Sequence, residues 1–217
     1  MSTGASAHVM STLNDYLEQL GRWLIRWKIQ VNSDKCQSVY FTRRRSTPNP
    51  PKLYRRPIPW RDETKYLGVI LDNRLTYKTH VPEVRNKVSA VNKKLYYVMG
   101  KNSKLSLRNK LLLYKTLMRP IMSYASPVWE ADARTHINKL EITQNKIVRQ
   151  ITQVPWYVRN KQIQKERKLT PILDYFRKLA IKFFNNIDNS TNAAIAEIPR
   201  YDPLEPRKKK RLRTLLG

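Results

Sequence analysis

The sequence predicts a mostly α protein with a small β portion, an α+β chain in which a β-hairpin region leads into an all-helical bundle. Three observations carry that expectation. Apolar residues recur at helical spacing over residues 11–28 and over most of the chain after residue 78. Two short runs, 37–43 and 65–71, are rich in β-branched and aromatic residues. Hydrophobic residues make up 41% of the 217 positions, which is enough apolar mass for a core.

The first helix carries Leu13, Tyr16, Leu17, Leu20, Trp23, Leu24 and Trp27 on one face. Thr12 stands where an N-cap belongs, with Asp15 three residues on. A turn-rich link, Val31 to Lys35, leads to a strand over 37–43. Five prolines, Pro48, Pro50, Pro51, Pro57 and Pro59, mark a loop with a short edge strand around Leu53. Residues 65–71 read as one buried strand, closed by an Asp72-Asn73 turn.

From Lys78 the pattern becomes helical. Val81, Val84, Val88, Val91, Leu95 and Val98 form one face of a long helix, and Gly100 occupies the C-cap place. Ser106 opens a second helix with Leu107, Leu111, Tyr114, Leu117 and Met118, and Pro120 kinks it or opens the next one. Ile121, Tyr124, Ala125, Val128 and Trp129 continue the apolar face. Asp132 caps a helix through Ile151, and a Pro155-Trp156-Tyr157 turn follows. A last helix spans 171–187 on Ile172, Phe176, Leu179, Ala180, Phe183 and Ile187. Residues 190–217 lose periodicity and end in a basic run from Arg207 to Arg213, which reads as a disordered tail. The divisions are therefore 1–77, 78–189 and 190–217.

Lys and Arg number 43 against 16 Asp and Glu, a formal net charge of +27. A chain this basic repels itself unless a polyanion neutralises it. The cations are spread along the sequence, which favours a nucleic-acid-facing body over a single lipid patch. No run approaches the roughly 18 apolar residues that a membrane helix needs. With 5 Gly and no glycine-loop spacing, a Gly-rich phosphate loop is nearly excluded, and 1 Cys and 3 His rule out a disulfide scaffold and make a Cys/His zinc site implausible. The tail's basic run suits a nuclear import signal, a nucleic-acid patch or mere solubilisation, so the expected residence is nuclear or cytoplasmic, with the nucleus slightly favoured.

An ordered series of motifs points to a family. Leu20-Gly21-Arg22-Trp23, Trp27 to Asn32, Lys35 and Phe41 come first. Lys65 to Asp72 with Leu75-Thr76-Tyr77 and His80 come next, then Leu111 to Lys115, Arg119-Pro120, Tyr124, Pro127-Val128-Trp129 and Pro155 to Val158. In this order, over about residues 13–188, the chain resembles reverse transcriptases of non-LTR retrotransposons, jockey-like elements especially. The resemblance implies a partial palm edge followed by a thumb-like bundle: motif D around Asn32 to Lys35, and the primer grip at Lys65 to Asp72. It places Lys35 near the incoming triphosphate, and Tyr66, Leu67 and Gly68 against the primer strand. Ala125 departs from the family, whose members often carry Gly there.

Nucleotide polymerisation is in-line phosphoryl transfer by two metal ions held on carboxylates. The family supplies these from an upstream Asp and an aromatic-x-Asp-Asp turn, and the full-length family would use Mg²⁺. No Asp-Asp pair occurs in this sequence, and Asp15, Asp34, Asp62 and Asp72 stand isolated. No catalytic residue and no bound cofactor are expected from this chain, which is not expected to polymerise alone. Asp15 reads as a capping residue and Asp72 as a turn former. The expected role is binding: RNA or an RNA–DNA hybrid held through its phosphates, with the rest of a polymerase as a further partner. Candidate contacts are Lys35, Tyr66, Leu67, Gly68, Lys87, Lys93, Lys94, Lys101, Lys104, Arg108, Lys110 and Lys115. Any one of these lysines on a solvated outer face would give the same pattern, and Gly68 could equally serve strand packing. A stand-alone nucleic-acid-binding or protein-interaction module derived from such an element is the alternative.

Overall fold

The computed structural model describes residues 6–32, 35–42, 47–130, 134–192 and 195. The fold is mostly α with a small β part, in two compact units, Met1–Thr76 and Tyr77–Gly217. The basic run at 207–213, Asp34 and the Asp132 cap lie outside the described residues.

The first unit opens with α1 (Ser6–Arg26), which begins five residues before the expected start. Thr12 is therefore not a cap. It lies inside the helix, and its hydroxyl donates to the His8 carbonyl at 3.0 Å, the back-bonding open to a mid-helix threonine. Asp15 is likewise an interior, exposed position rather than a capping one. The helix ends with Lys28 in the left-handed region (φ 55°), while the Ile29 amide reaches back to the Leu24 carbonyl at 2.9 Å. That is a common way to satisfy the last carbonyls of a helix.

Two hairpins follow. The short strands β1 (Lys52–Leu53) and β2 (Arg56–Pro57) pair antiparallel across Tyr54 and Arg55, both at positive φ, and α1 packs on β1. The expected single strand over 65–71 is instead a hairpin of β3 (Glu63–Tyr66) and β4 (Val69–Asp72), with Lys65 opposite Ile70 and Tyr66 opposite Val69. The reversal sits on Leu67 (φ 45°) and Gly68 (φ 81°). A two-residue turn with both φ positive matches strand twist, and the glycine accepts it without steric cost. The apolar run conceals this turn because Leu, unlike Asn or Asp, gives no turn signal.

Over the described residues 37–42, the strand expected over 37–43 does not form. Within that stretch, Ser38 makes one parallel bridge to Trp60, and Thr42 donates to the Asn73 carbonyl at 3.0 Å. The neighbouring segment carries Pro57 and Pro59, whose missing N–H groups interrupt any continuous ladder. Asp72 keeps its expected turn role: its buried carboxylate accepts from the Thr76 amide at 3.0 Å and the Thr76 hydroxyl at 2.9 Å.

The second unit is all helical: α2 (His80–Lys94), α3 (Tyr96–Met99), α4 (Leu107–Leu113), a π-helical turn (Tyr114–Met118), α5 (Arg119–Ser123), α6 (Ser126–Trp129), α7 (Arg134–Thr152), α8 (Asn160–Glu166) and α9 (Ile172–Asp188). Its core joins Val81, Val84 and Val88 of α2 to Leu140, Ile147 and Ile151 of α7 and to Phe176 and Ala180 of α9. Ser106 caps α4 as expected, accepting from the Asn109 amide at 3.3 Å. The long helix predicted to Val98 breaks at Leu95. Gly100 follows α3 in extended backbone (φ −74°), so glycine is not required there by a left-handed turn. It is required by space, because a Cβ would lie 2.7 Å from the Tyr96 carbonyl oxygen.

Ala125 lies in the left-handed region (φ 52°, ψ 24°) just ahead of α6. That conformation costs an L-residue about 1–2 kcal/mol, which explains why glycine would suit this position. Ala125→Gly therefore raises the unfolding free energy by about 0.5–1 kcal/mol, after the extra unfolded-state freedom of glycine is subtracted. Urea melts of the two chains check this, and a loss of stability would contradict it.

Candidate nucleic-acid interface

A cleft of about 360 Å³ runs where α2 packs on α7. Helical periodicity builds it. The valines of α2 turn inward, which leaves Arg85, Ser89, Asn92 and Lys93 as the adjoining stripe. From α7 come Lys139, Ile142, Thr143, Lys146 and Ile147. Four cations thus line one groove with no carboxylate among the lining residues, and all four are exposed. The amide of Asn92 donates to Gln150 at 2.9 Å and ties the two helices together. Such an arrangement suits a phosphate backbone: several positive charges at fixed spacing, flanked by hydroxyl and amide groups that can donate hydrogen bonds.

A second cleft, about 480 Å³, is lined by Leu107, Arg108, Leu111, Leu112 and Lys115 on one side and by Glu166, Arg167 and Lys168 on the other. It is more apolar, and it carries one carboxylate.

The sequence-predicted contacts distribute unevenly over this surface. Lys93 stands in the first cleft, and Arg108 and Lys115 line the second. Lys94, Lys101 and Lys104 are exposed. Lys87 is exposed too, but its ammonium pairs with Glu83 at 2.6 Å. Lys110 corrects the expectation. It is buried, and its ammonium donates to the Gly100 carbonyl at 2.8 Å and the Ser103 carbonyl at 3.3 Å, so it staples a loop instead of facing solvent. In the first unit, Lys35 is exposed on a turn, its amide 3.2 Å from the Asn32 carbonyl. Tyr66, Leu67 and Gly68 form the exposed tip of the second hairpin, with Leu67 73% exposed.

Sequence reasoning misses Arg85, Lys139 and Lys146. The signal is present, since Lys139 and Lys146 are seven residues apart and so share a face of α7. What no single helix reveals is the partner whose stripe of cations lies alongside.

Behind the surface, Arg119 is buried between two aromatic rings, 5.6 Å from the Tyr114 centroid and 4.7 Å from that of Tyr175. Burial pushes the Tyr114 hydroxyl above the ordinary tyrosine range, against the opposing pull of the Arg119 charge. His80 meets the edge of Trp129 at 5.6 Å, a packing role. Among the described residues, no three His, Cys, Asp or Glu side chains converge as a metal site would require, and no helix is long and apolar enough to cross a membrane.

Comparison with known proteins gives a consistent set of relatives. A probable RNA-directed DNA polymerase from transposon X-element of Drosophila melanogaster is 34% identical over 191 residues, 88% of this chain and 21% of that protein. The RNA-directed DNA polymerase from mobile element jockey of Drosophila funebris is 34% identical over 182 residues, 83% of this chain and 20% of that one. Its Drosophila melanogaster counterpart is 29% identical over 183 residues, 84% and 20% of the two chains. The chain thus spans about a fifth of the length of these curated relatives. No family model matches, and no solved structure matches.

Proposed function

We propose that this chain, homologous to part of the RNA-directed DNA polymerases of jockey-like non-LTR retrotransposons, is a nucleic-acid-holding portion of such an enzyme. It grips RNA or an RNA–DNA hybrid through phosphates. The observation that carries this reading is the α2–α7 cleft, where Arg85, Lys93, Lys139 and Lys146 gather without a lining carboxylate on a chain of net charge +27. In this reading the helical unit acts as a thumb, and the β3–β4 hairpin with its Tyr66-Leu67-Gly68 tip acts as a primer grip. Lys35 marks the motif D turn.

Phosphate contacts fix register without reading sequence, which suits an enzyme that copies any template. The chain contributes no catalytic carboxylate and binds no metal of its own. The Mg²⁺-holding residues of this reading lie in the four-fifths of the relatives' length that these residues do not span. Residence is nuclear or cytoplasmic in this reading, and the basic run at 207–213 favours the nucleus slightly.

A salt titration tests the reading. Phosphate-driven binding of a duplex gives log K falling linearly with log salt, at about 0.9 per phosphate neutralised. A slope of at least about 3 is expected for an RNA–DNA hybrid. Binding that barely changes with salt would overturn the proposal. Robust primer extension by the chain alone with Mg²⁺ would overturn its non-catalytic part.

A further inference from the structure

Between α7 and α8 the chain presents two aromatic rings outward. Trp156 is 88% exposed and Tyr157 is 70% exposed. Large exposed rings on an ordered loop ask for an explanation, because burying them would be favourable. The loop is not loosely held. Arg149 of α7 turns its guanidinium under it: Nε donates to Asn160 Oδ1 at 2.8 Å, Nη1 donates to the Pro155 carbonyl at 3.3 Å, and Nη2 donates to the Val158 carbonyl. The Val158 amide closes the turn on the Pro155 carbonyl at 3.2 Å. The backbone is thus pinned from beneath and the rings are left outside. Their planes meet at 81° with centroids 6.1 Å apart, an edge-on contact, so the two rings are not stacked on each other.

The surroundings are cationic. No acidic residue stands between Glu141 and Glu166, while Arg159, Lys161 and Lys165 follow the rings closely in sequence and are exposed. Highly exposed aromatic rings beside positive charge, on a backbone already fixed in place, match what a planar base on a polyanionic strand requires.

We infer that Trp156 and Tyr157 form a stacking platform for unpaired nucleobases, with Arg149 as its positioning residue. The inference rests on the nucleic-acid reading above and adds a single-stranded ligand to it. Stacking is indifferent to base identity, because every base has a π face. The platform therefore holds a strand without selecting sequence.

The test compares two labelled single strands of about twelve nucleotides, within the usual span of such sites. One is oligo-dT, and the other is an abasic strand of the same length and charge. The full chain binds the base-bearing strand about tenfold or more tightly than the abasic one. The W156A/Y157A double variant binds both strands equally and keeps the wild-type affinity for the abasic strand. The W156F/Y157F variant retains most of the preference. R149M, with its rings intact, loses much of it while the salt slope is unchanged. Thermal melts of each variant establish that the fold persists. A wild-type chain without preference, or a double variant that keeps it, overturns the inference. So does conversion of a dimer to a monomer by W156A/Y157A with no change in strand preference, since the rings would then be a contact between copies. Normal salt-dependent binding of an RNA–DNA hybrid with no base preference on the single strands defeats this inference alone, whereas failure to bind the hybrid defeats the phosphate reading as well.

Discussion

Replacing Arg85, Lys93, Lys139 and Lys146 with glutamine lowers the salt slope of hybrid binding by about 2–4, since each phosphate left without its cation takes about 0.9 from the slope. If three phosphates are released in this way, affinity near 0.1 M salt falls by about 10²- to 10³-fold. The four side chains are exposed, and none is tied into the core, so the variant keeps its fold. Removing mutually repelling charges even favours the compact state. The control is a pair of substitutions elsewhere on the surface, K101Q and K104Q, which lie between α3 and α4. If the control pair lowers the slope as much per charge removed as the cleft variant does, the binding is diffuse and the cleft has no special standing. Fluorescence anisotropy at four or five salt concentrations is sufficient.

Trp129→Ala is expected to be the most damaging single substitution for stability. Trp129 is fully buried at the end of α6. Its indole N–H donates to the Tyr124 carbonyl at 2.9 Å, and its ring meets Phe176 of α9 edge-on at 5.3 Å. Truncation loses the transfer free energy of a large ring and leaves a cavity where α6 packs on α9. The expected cost is about 3–5 kcal/mol, a large share of the roughly 5–15 kcal/mol that holds a typical domain folded. Trp129→Phe keeps most of the packing and loses the hydrogen bond, so it costs less. A urea midpoint for Trp129→Ala close to that of the parent would mean the surrounding helices collapse onto the space.

The helices are legible because their apolar residues repeat. The valine stripe of α2, the Ser106 cap and the face of α9 need only spacing and side-chain chemistry. The elements that escape the sequence lack such repetition. The polar seven-residue α8 offers Ile163 as its one large apolar residue, so no period shows. The β3–β4 turn is hidden because Leu67 takes a conformation usually marked by Asn or Asp. Lys110 misleads for a different reason. Sequence carries the identity of a lysine but not whether a loop's carbonyls wait for it, and Gly100 and Ser103 do. The cleft sits between these cases: each helix shows its own cations, and their meeting is a property of tertiary packing alone.

The π-helical turn at Tyr114–Met118 has a consequence at the level of codons. Such a turn is an α-helix with one residue too many, and here it precedes Pro120, whose ring is poorly accommodated in a regular interior. Losing the triplet for Thr116 would leave a more regular helix by local criteria. It would also rotate everything beyond by about 100° and swing Arg119 away from the Tyr175 ring it now rests on. The reading frame would survive such a deletion and the packing would not, so sequence drift should trim the loops on either side before it trims this extra residue.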